Sequence, residues 1–225
     1  DFIVNSNVLN DFILRSKLIK EIRFYLESDD YLEVETPVLQ PLYGGANARP
    51  FTTFHNTLDQ KLYLRISLEL YLKKLIIGGI NKVFEISKNF RNEGMDKNHN
   101  PEFTMLEFYC AYADLYNMLD FTEKMIKTVF QKINGSKIIE FAENTISIEN
   151  KFQVIDFFES IKKFSNKDIS KMQSQELSAL LKSLKVKVEK DANYGNLIDK
   201  FFSHFVEPNL IEPTFIVNFP KDISP

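Results

Sequence analysis

The sequence predicts an α+β fold in which a mainly antiparallel sheet is flanked by helices. Residues 83–93 and 102–112 alternate polar and apolar side chains on either side of a turn-rich loop, which is typical of a β-hairpin. Residues 12–28 and 114–132 repeat apolar side chains at helical spacing. Hydrophobic residues make up 44% of the 225 residues, which permits a sizeable core.

The elements before the hairpin follow from local patterns. The first helix is predicted to end at Asp29 and Asp30, and the alternating residues 31–36 predict a strand that stops at Pro37. A glycine pair marks residues 41–54 as a loop, and residues 62–66 are predicted as a strand. A helix is then predicted to begin at Glu69 and to end at the glycine pair 78–79.

The elements after the hairpin are predicted in the same way. The long helix over 114–132 is followed by a small hairpin formed by residues 138–141 and 145–148. Further helices are predicted over 154–164, 174–184 and 194–205, with Ser174 as a candidate N-cap, and strands over 185–190 and 214–219.

One face of the hairpin 83–112 gathers polar side chains, because side chains alternate between the two faces of a strand. A guanidinium binds carboxylate or phosphate, carboxylates bind ammonium groups, and an aromatic ring stacks on a base. The face therefore suits a small zwitterion and a nucleotide, although an ordinary half-exposed hairpin with a charged outer face is the alternative. The face comprises Glu85, Ser87, Asn89, Arg91, Glu93, Phe103, Glu107 and Tyr109, and the loop above it adds Asp96, Lys97, His99 and Asn100.

The literal string over this hairpin resembles a known motif. FRNEG followed by HNPEFTMLEFY is similar to motif 2 of class II aminoacyl-tRNA synthetases, in the form that lysyl-tRNA synthetases use. Motif 2 generally needs only the arginine, so the longer string is the discriminating part. The helix, break, strand and proline over about residues 14–37 resemble motif 1, through which members of that family dimerise. Residues 113–213 are interpreted as a helical and hairpin insertion.

The resemblance implies ATP-dependent activation of lysine to lysyl-adenylate and transfer of lysine to tRNA(Lys). Arg91 is implied to be catalytic, because it would contact both the lysine carboxylate and the α-phosphate. Leu68 departs from the family, which commonly has proline before the glutamate. The other residues implied to bind lysine are Gly45, Glu69, Glu107 and Tyr109, and those implied to bind ATP beside Arg91 are Glu93, His99, Asn100 and Phe103.

The resemblance covers nearly all of residues 1–225 as part of one catalytic domain that is truncated before motif 3. The OB-fold that binds the anticodon, the magnesium-binding carboxylates and the motif 3 arginine of the family find no counterpart in the sequence. We therefore expect the Mg²⁺ ligands to lie outside this span. We also expect a fragment of a longer protein that is inactive alone.

Composition excludes several classes of protein. The net charge of −3 gives no strong basic field for nucleic acid. A single cysteine, Cys110, excludes an internal disulfide. Cys110 lies on the face of the predicted strand opposite to that of Glu107, which predicts a packing role. The apolar runs are too short to span a bilayer, and the start lacks a signal-peptide pattern. We expect a cytoplasmic homodimer with no membrane partner.

Two other functions stay open at this point. A paralogous enzyme that lysylates an elongation factor shares the HNPEFTML string and lacks the OB-fold, but its pocket segment differs from GGANARPF. A non-catalytic module could bind ATP or a partner without turnover. Lysine-dependent ATP–pyrophosphate exchange separates the enzymes from the module, and the acceptor of lysine separates the two enzymes.

Overall fold

The computed structural model describes residues 3–141, 143–189 and 192–224, and the chain divides into two units. The first unit runs to Met118 and the second from Leu119 to Ser224, so the boundary lies inside one helix. None of the helices in the described ranges is both long and apolar enough to cross a membrane.

The main sheet of the first unit has three strands in the order β1-β5-β6. The strand β1 (Leu32–Glu33) pairs in parallel with β5 (Lys82–Phe90), and β5 pairs antiparallel with β6 (Glu102–Cys110). The predicted hairpin is therefore confirmed. The strand predicted over 31–36 is shorter, because only two of its residues pair with β5.

The helix α1 (Ser6–Ser28) begins six residues before the predicted start at residue 12 and ends where predicted. Its last turn leads into β1 through Tyr31, whose N–H donates to the Leu26 carbonyl. The Arg15 guanidinium donates to Thr104 Oγ1 at 3.0 Å. Since Thr104 lies on the face of β6 opposite the predicted polar face, α1 contacts the apolar side of the hairpin.

A second sheet has the order β2-β4-β3 and is antiparallel throughout. Its strands are β2 (Leu39–Gln40), β3 (Thr52–His55) and β4 (Gln60–Leu64). The prediction of a loop over 41–54 is wrong at its end, because the threonine-rich start of β3 pairs with β4. The helix α2 (Glu69–Ile77) begins and ends where predicted, and Leu68 and Leu72 pack with Val83 in a small core.

The second unit starts within α3 (Leu115–Asn134), which confirms the long helix predicted after the hairpin. The hairpin of β7 (Ile138–Phe141) and β8 (Asn144–Ser147) is also confirmed. The core of the second unit lies between three helices and contains Phe157, Ile161, Leu177, Leu181, Ile198 and Phe201. These helices are α4 (Phe157–Ser165), α5 (Ser174–Ser183) and α6 (Tyr194–Phe205), while β9 (Gln153–Asp156) pairs in parallel with β10 (Thr214–Val217).

Three predictions for the second unit are wrong in detail. The predicted helix 154–164 begins as a strand, because residues 153–156 pair with β10 and Asp156 then caps α4 by accepting from the Phe158 N–H at 2.9 Å. Ser174 is not the N-cap of α5, since Gln173 takes that position. Residues 185–189, the described part of the predicted strand 185–190, form no strand, and Lys185 has a φ of 61°.

Candidate active site

The two strands of the hairpin share their polar face as predicted. Glu85 lies opposite Glu107, and Asn89 lies opposite Phe103 in the register of β5 and β6. The strand β5 ends at Phe90, so Arg91 leaves the ladder, although its N–H still donates to the Pro101 carbonyl at 2.8 Å. The half-buried Cys110 lies at the other end of β6, on the opposite face.

Part of this polar face forms a buried ion-pair network. Arg65 Nη1 lies 2.7 Å from Glu85 Oε1, and the two side chains are only 3% and 2% exposed. Arg65 Nη2 donates to Ser87 Oγ at 2.6 Å, and Glu85 Oε2 accepts from the N–H and hydroxyl of Thr36. Glu85 and Ser87 lie on the predicted face, and both accept hydrogen bonds from the buried Arg65.

The Glu107 carboxylate is fixed by three hydrogen bonds. Its Oε1 accepts from Ser67 Oγ at 2.7 Å and from the Leu68 N–H at 2.9 Å, and its Oε2 accepts from the Tyr109 hydroxyl at 2.9 Å. Burial, followed by the negative charge of Glu107, raises the pKa of Tyr109 above its ordinary value. The phenol therefore remains a hydrogen-bond donor at neutral pH.

Leu68 occupies the position at which the resemblance leads us to expect proline. Proline at this position has no N–H, so it could not donate to Glu107. Leu68 has a φ of −92°, which lies outside the range of about −65 ± 15° that a proline ring allows. Leucine therefore supplies a main-chain donor to the carboxylate and leaves Glu69 at the first position of α2.

Gly45 contacts the start of α2, as the predicted pocket requires. It has a φ of +84°, and a Cβ built on it would lie 2.8 Å from both Glu69 Cβ and Ser67 Oγ. Any larger residue would therefore be strained and would displace the start of the helix. The half-buried Glu69 accepts from Lys73 Nζ at 2.6 Å, one helical turn further on.

Arg91 contacts both the segment 66–69, beside the acidic cluster of Glu69 and Glu107, and the aromatic ring of Phe103. Its Nε donates to the Ile66 carbonyl at 3.4 Å, a long hydrogen bond, and Ile66 immediately precedes Ser67. The Arg91 guanidinium carbon lies 5.0 Å from the centre of the Phe103 ring, within the range of a cation–π contact. The structure thus brings Arg91, Gly45, Glu69 and Glu107 to the same short segment, residues 66–69.

A cavity of about 270 Å³ opens beside Arg91 and Phe103. The loop that closes it is held by Asp96, which accepts from the N–H groups of Asn98 and His99 at 2.7 and 2.8 Å. The His99 ring, whose Nδ1 lies 2.9 Å from both carboxylate oxygens, and then these main-chain bonds lower the pKa of Asp96. All five residues predicted to bind ATP line this cavity, namely Arg91, Glu93, His99, Asn100 and Phe103.

The two edges of the cavity are fixed by main-chain groups. Glu93 Oε1 accepts from the Arg49 N–H at 3.3 Å, and the Asn92 N–H donates to the Arg49 carbonyl at 2.7 Å. Asn100 Nδ2 donates to the Glu102 carbonyl at 2.6 Å. The loop that carries Gly45 and Arg49 therefore contacts the cavity as well as the acidic cluster.

Three features of this site escaped sequence reasoning. Ser67 links Glu107 to the Glu69 N–H, which donates to Ser67 Oγ at 3.2 Å, and Arg65 occupies the interior. Asn89, opposite Phe103, is fully buried, and its amide nitrogen and oxygen lack a hydrogen-bond partner among the described residues. The small polar residue just before a predicted helix was the available signal for Ser67.

The described residues do not bring three His, Cys, Asp or Glu side chains together as a metal-binding group. Two acidic groups of the site instead form ion pairs with basic side chains, Glu85 with Arg65 and Glu69 with Lys73.

Comparison with known proteins shows strong similarity over the whole chain. Lysine–tRNA ligases from Clostridium tetani, Carboxydothermus hydrogenoformans and Halalkalibacterium halodurans are 47%, 46% and 45% identical to it. Each alignment includes 100% of this chain, which spans only 45–46% of the length of those relatives. The family model for class II tRNA synthetases (D, K and N) matches residues 1–225, and the chain therefore belongs to that family.

Proposed function

We propose that the chain is the part of a lysine–tRNA ligase that binds lysine and ATP and activates the amino acid. Relatives that are 44–47% identical to the chain carry that name, although the chain spans less than half of their length. The acidic cluster around Glu69 and Glu107 suits the two ammonium groups of lysine. The cavity beside Phe103 suits the nucleotide, because an aromatic ring stacks on a base.

The position of Arg91 is the observation that carries this proposal. Its guanidinium contacts the Ile66 carbonyl on the acidic side and the Phe103 ring on the cavity side. The carboxylate of a lysine whose ammonium groups lie at Glu69 and Glu107 would meet the α-phosphate of ATP at this junction. A guanidinium binds both anions and stabilises the charge that develops between them.

The proposed reaction is an in-line displacement at the α-phosphorus. A carboxylate oxygen of lysine forms a bond to the α-phosphorus, the bond from that atom to the bridging oxygen of the β-phosphate breaks, and pyrophosphate leaves. In the transfer step a hydroxyl oxygen at the 3′ end of tRNA(Lys) forms a bond to the carbonyl carbon of the lysyl-adenylate, the bond from that carbon to the phosphate oxygen breaks, and AMP leaves with the hydroxyl proton released to solvent. Orientation and charge stabilisation accelerate such a step without a covalent protein intermediate. His99 and Asn100, on the cavity loop, are assigned to phosphate and nucleotide contacts.

Mg²⁺ normally accompanies ATP, and this proposal gives the ion no other role. Mg²⁺ requires several oxygen ligands in octahedral geometry. The described residues do not provide a cluster of carboxylates for it. We therefore assign no magnesium ligand to them and derive no step through the ion.

The helix α1 supports the dimer that the resemblance implies. It exposes Leu9, Ile13, Leu14 and Leu18 on the surface of the first unit. Exposed apolar side chains on a helix are a feature of many protein interfaces. We propose that α1 packs against a second copy, and sedimentation equilibrium of the full-length protein tests this.

The proposed activity is tested by lysine-dependent ATP–pyrophosphate exchange with the full-length protein. We expect Arg91→Ala to lower the exchange rate by about 100-fold or more, as for the loss of one group that stabilises transition-state charge. Lys88→Ala is the matched control. Lys88 lies three residues earlier and is exposed, and its Nζ pairs with Glu102 on the other face of the hairpin, so its loss should leave exchange unchanged.

The same assay separates the alternatives. If the wild type shows no lysine-dependent exchange, the non-catalytic module is the remaining alternative. An unchanged exchange rate in Arg91→Ala would contradict the role assigned to Arg91. Labelled lysine recovered on an elongation factor, with none on tRNA(Lys), would indicate the paralogous lysyltransferase.

A further inference from the structure

The chain's own Lys73 lies at the pocket proposed for the amino acid. Lys73 Nζ is 2.6 Å from Glu69 Oε1 and 5.9 Å from the centre of the Tyr109 ring. A carboxylate and an aromatic face are the two kinds of group that bind an ammonium ion. Glu69 is assigned above to an ammonium group of substrate lysine, and the resemblance implies that Tyr109 also binds lysine. The side chain of the substrate is chemically the same as that of Lys73.

We propose that Lys73 is an internal competitor that occupies an ammonium site of the lysine pocket and determines its affinity for lysine. This inference rests on the proposed function, since it names a residue of the same pocket. Substrate lysine displaces the Lys73 ammonium group from Glu69 when it binds.

The hydrogen bonds of the pocket single out Glu69 as the carboxylate that can change partners. Both oxygens of Glu107 accept bonds from Ser67, Leu68 and Tyr109, which fix its rotamer. Glu69, in contrast, is bound through one oxygen by a flexible side chain that is 55% exposed. An exposed ion pair of this kind is weak, so an incoming ammonium group can replace it.

The effect of the Lys73 charge on the affinity for lysine is large enough to measure. Two like unit charges about 4 Å apart in a water-like medium repel each other by an amount that corresponds to about fivefold in affinity. Removal of the Lys73 charge removes both this repulsion and the competition for Glu69. We therefore expect the KM for lysine to fall by about three- to tenfold in Lys73→Gln.

The matched variants distinguish competition from a structural role. Lys74→Gln removes the same charge from the next residue of α2, where Lys74 Nζ lies 4.6 Å from the centre of the Tyr71 ring. Lys73→Arg keeps the positive charge. Competition predicts a lower KM for lysine in Lys73→Gln alone, with the KM for ATP and kcat unchanged. A role in holding Glu69 in position predicts a higher KM for lysine instead.

The experiment measures ATP–pyrophosphate exchange by the full-length protein over a range of lysine and ATP concentrations, with circular dichroism as a check on folding. The inference is overturned if Lys73→Gln has an unchanged or higher KM for lysine, or if Lys74→Gln shows an equal decrease. Failure of the proposed function is recognised separately, because the wild type would then show no lysine-dependent exchange at any concentration.

Discussion

The buried pair of Arg65 and Glu85 offers the sharpest test of how this fold is stabilised. Glu85→Gln keeps the shape of the side chain but removes its charge, which leaves the Arg65 guanidinium uncompensated in the interior. Removal of one partner from a buried ion pair costs about 3–5 kcal/mol. The pair distance of 2.7 Å and exposures of 3% and 2% place this pair firmly in that class.

The control is the pair of Arg23 and Glu33, which has the same residue types and the same distance of 2.7 Å but exposures of 39% and 31%. An exposed pair contributes about 0–1 kcal/mol, so Glu33→Gln should change the free energy of unfolding by less than 1 kcal/mol. The two substitutions therefore differ in burial, while the chemistry of the change is identical.

Urea denaturation followed by far-ultraviolet circular dichroism measures the difference. With a slope of about 2–3 kcal/mol per molar urea, Glu85→Gln should lower the midpoint of the unfolding transition by about 1–2 M. The double variant Arg65→Met, Glu85→Leu should recover most of this loss, since hydrophobic replacement of a buried pair is often neutral. Equal midpoints for Glu85→Gln and Glu33→Gln would refute the reasoning, because they would mean that water reaches the buried pair.

Two further predictions concern the pocket. Gly45→Ala should raise the KM for lysine by about tenfold, since the added Cβ would overlap Ser67 and Glu69. The control is Gly79→Ala, because Gly79 has a φ of +101° and open space around it. This control should lower the free energy of unfolding by about 1–2 kcal/mol and leave the KM for lysine unchanged. Equal effects on KM would contradict the contact argument. Because burial and Glu107 raise the pKa of Tyr109, its phenol contributes fully to stability below about pH 10, and this contribution is lost progressively as the pH rises from there through the raised pKa. Absorbance at 295 nm should show late-titrating tyrosines, since burial also raises the pKa of Tyr31, and Tyr109→Phe should remove one of them. An unchanged titration curve would exclude the buried phenol of Tyr109.

Sequence reasoning worked best where a periodic pattern decides the structure. Parity along the two strands placed Phe103, Glu107 and Tyr109 on one face, because side-chain alternation in a strand is a local property. The start of α2 at Glu69 was also predicted correctly. Its signals, a carboxylate in the first turn and glycines after the last, lie within a few residues of the helix.

Sequence reasoning failed where distant contacts decide the structure. Residues 154–156 fit a helix as well as a strand, and pairing with β10, about 60 residues away, selects the strand. Glu85 and Ser87 have the right parity for a ligand-binding face, but both accept hydrogen bonds from Arg65, which directly follows β4. Parity predicts the face of a side chain, whereas its partner depends on which elements pack above that face.

The main-chain donor at Leu68 has a consequence for ligand entry. Because this N–H, Ser67 and Tyr109 orient the Glu107 carboxylate beforehand, an arriving cation finds an acceptor whose rotational freedom has already been lost on folding. The entropic cost of ordering that side chain is thus borne by the folding of α2 and not by the association step. A proline at this position would transfer part of that cost to the ligand.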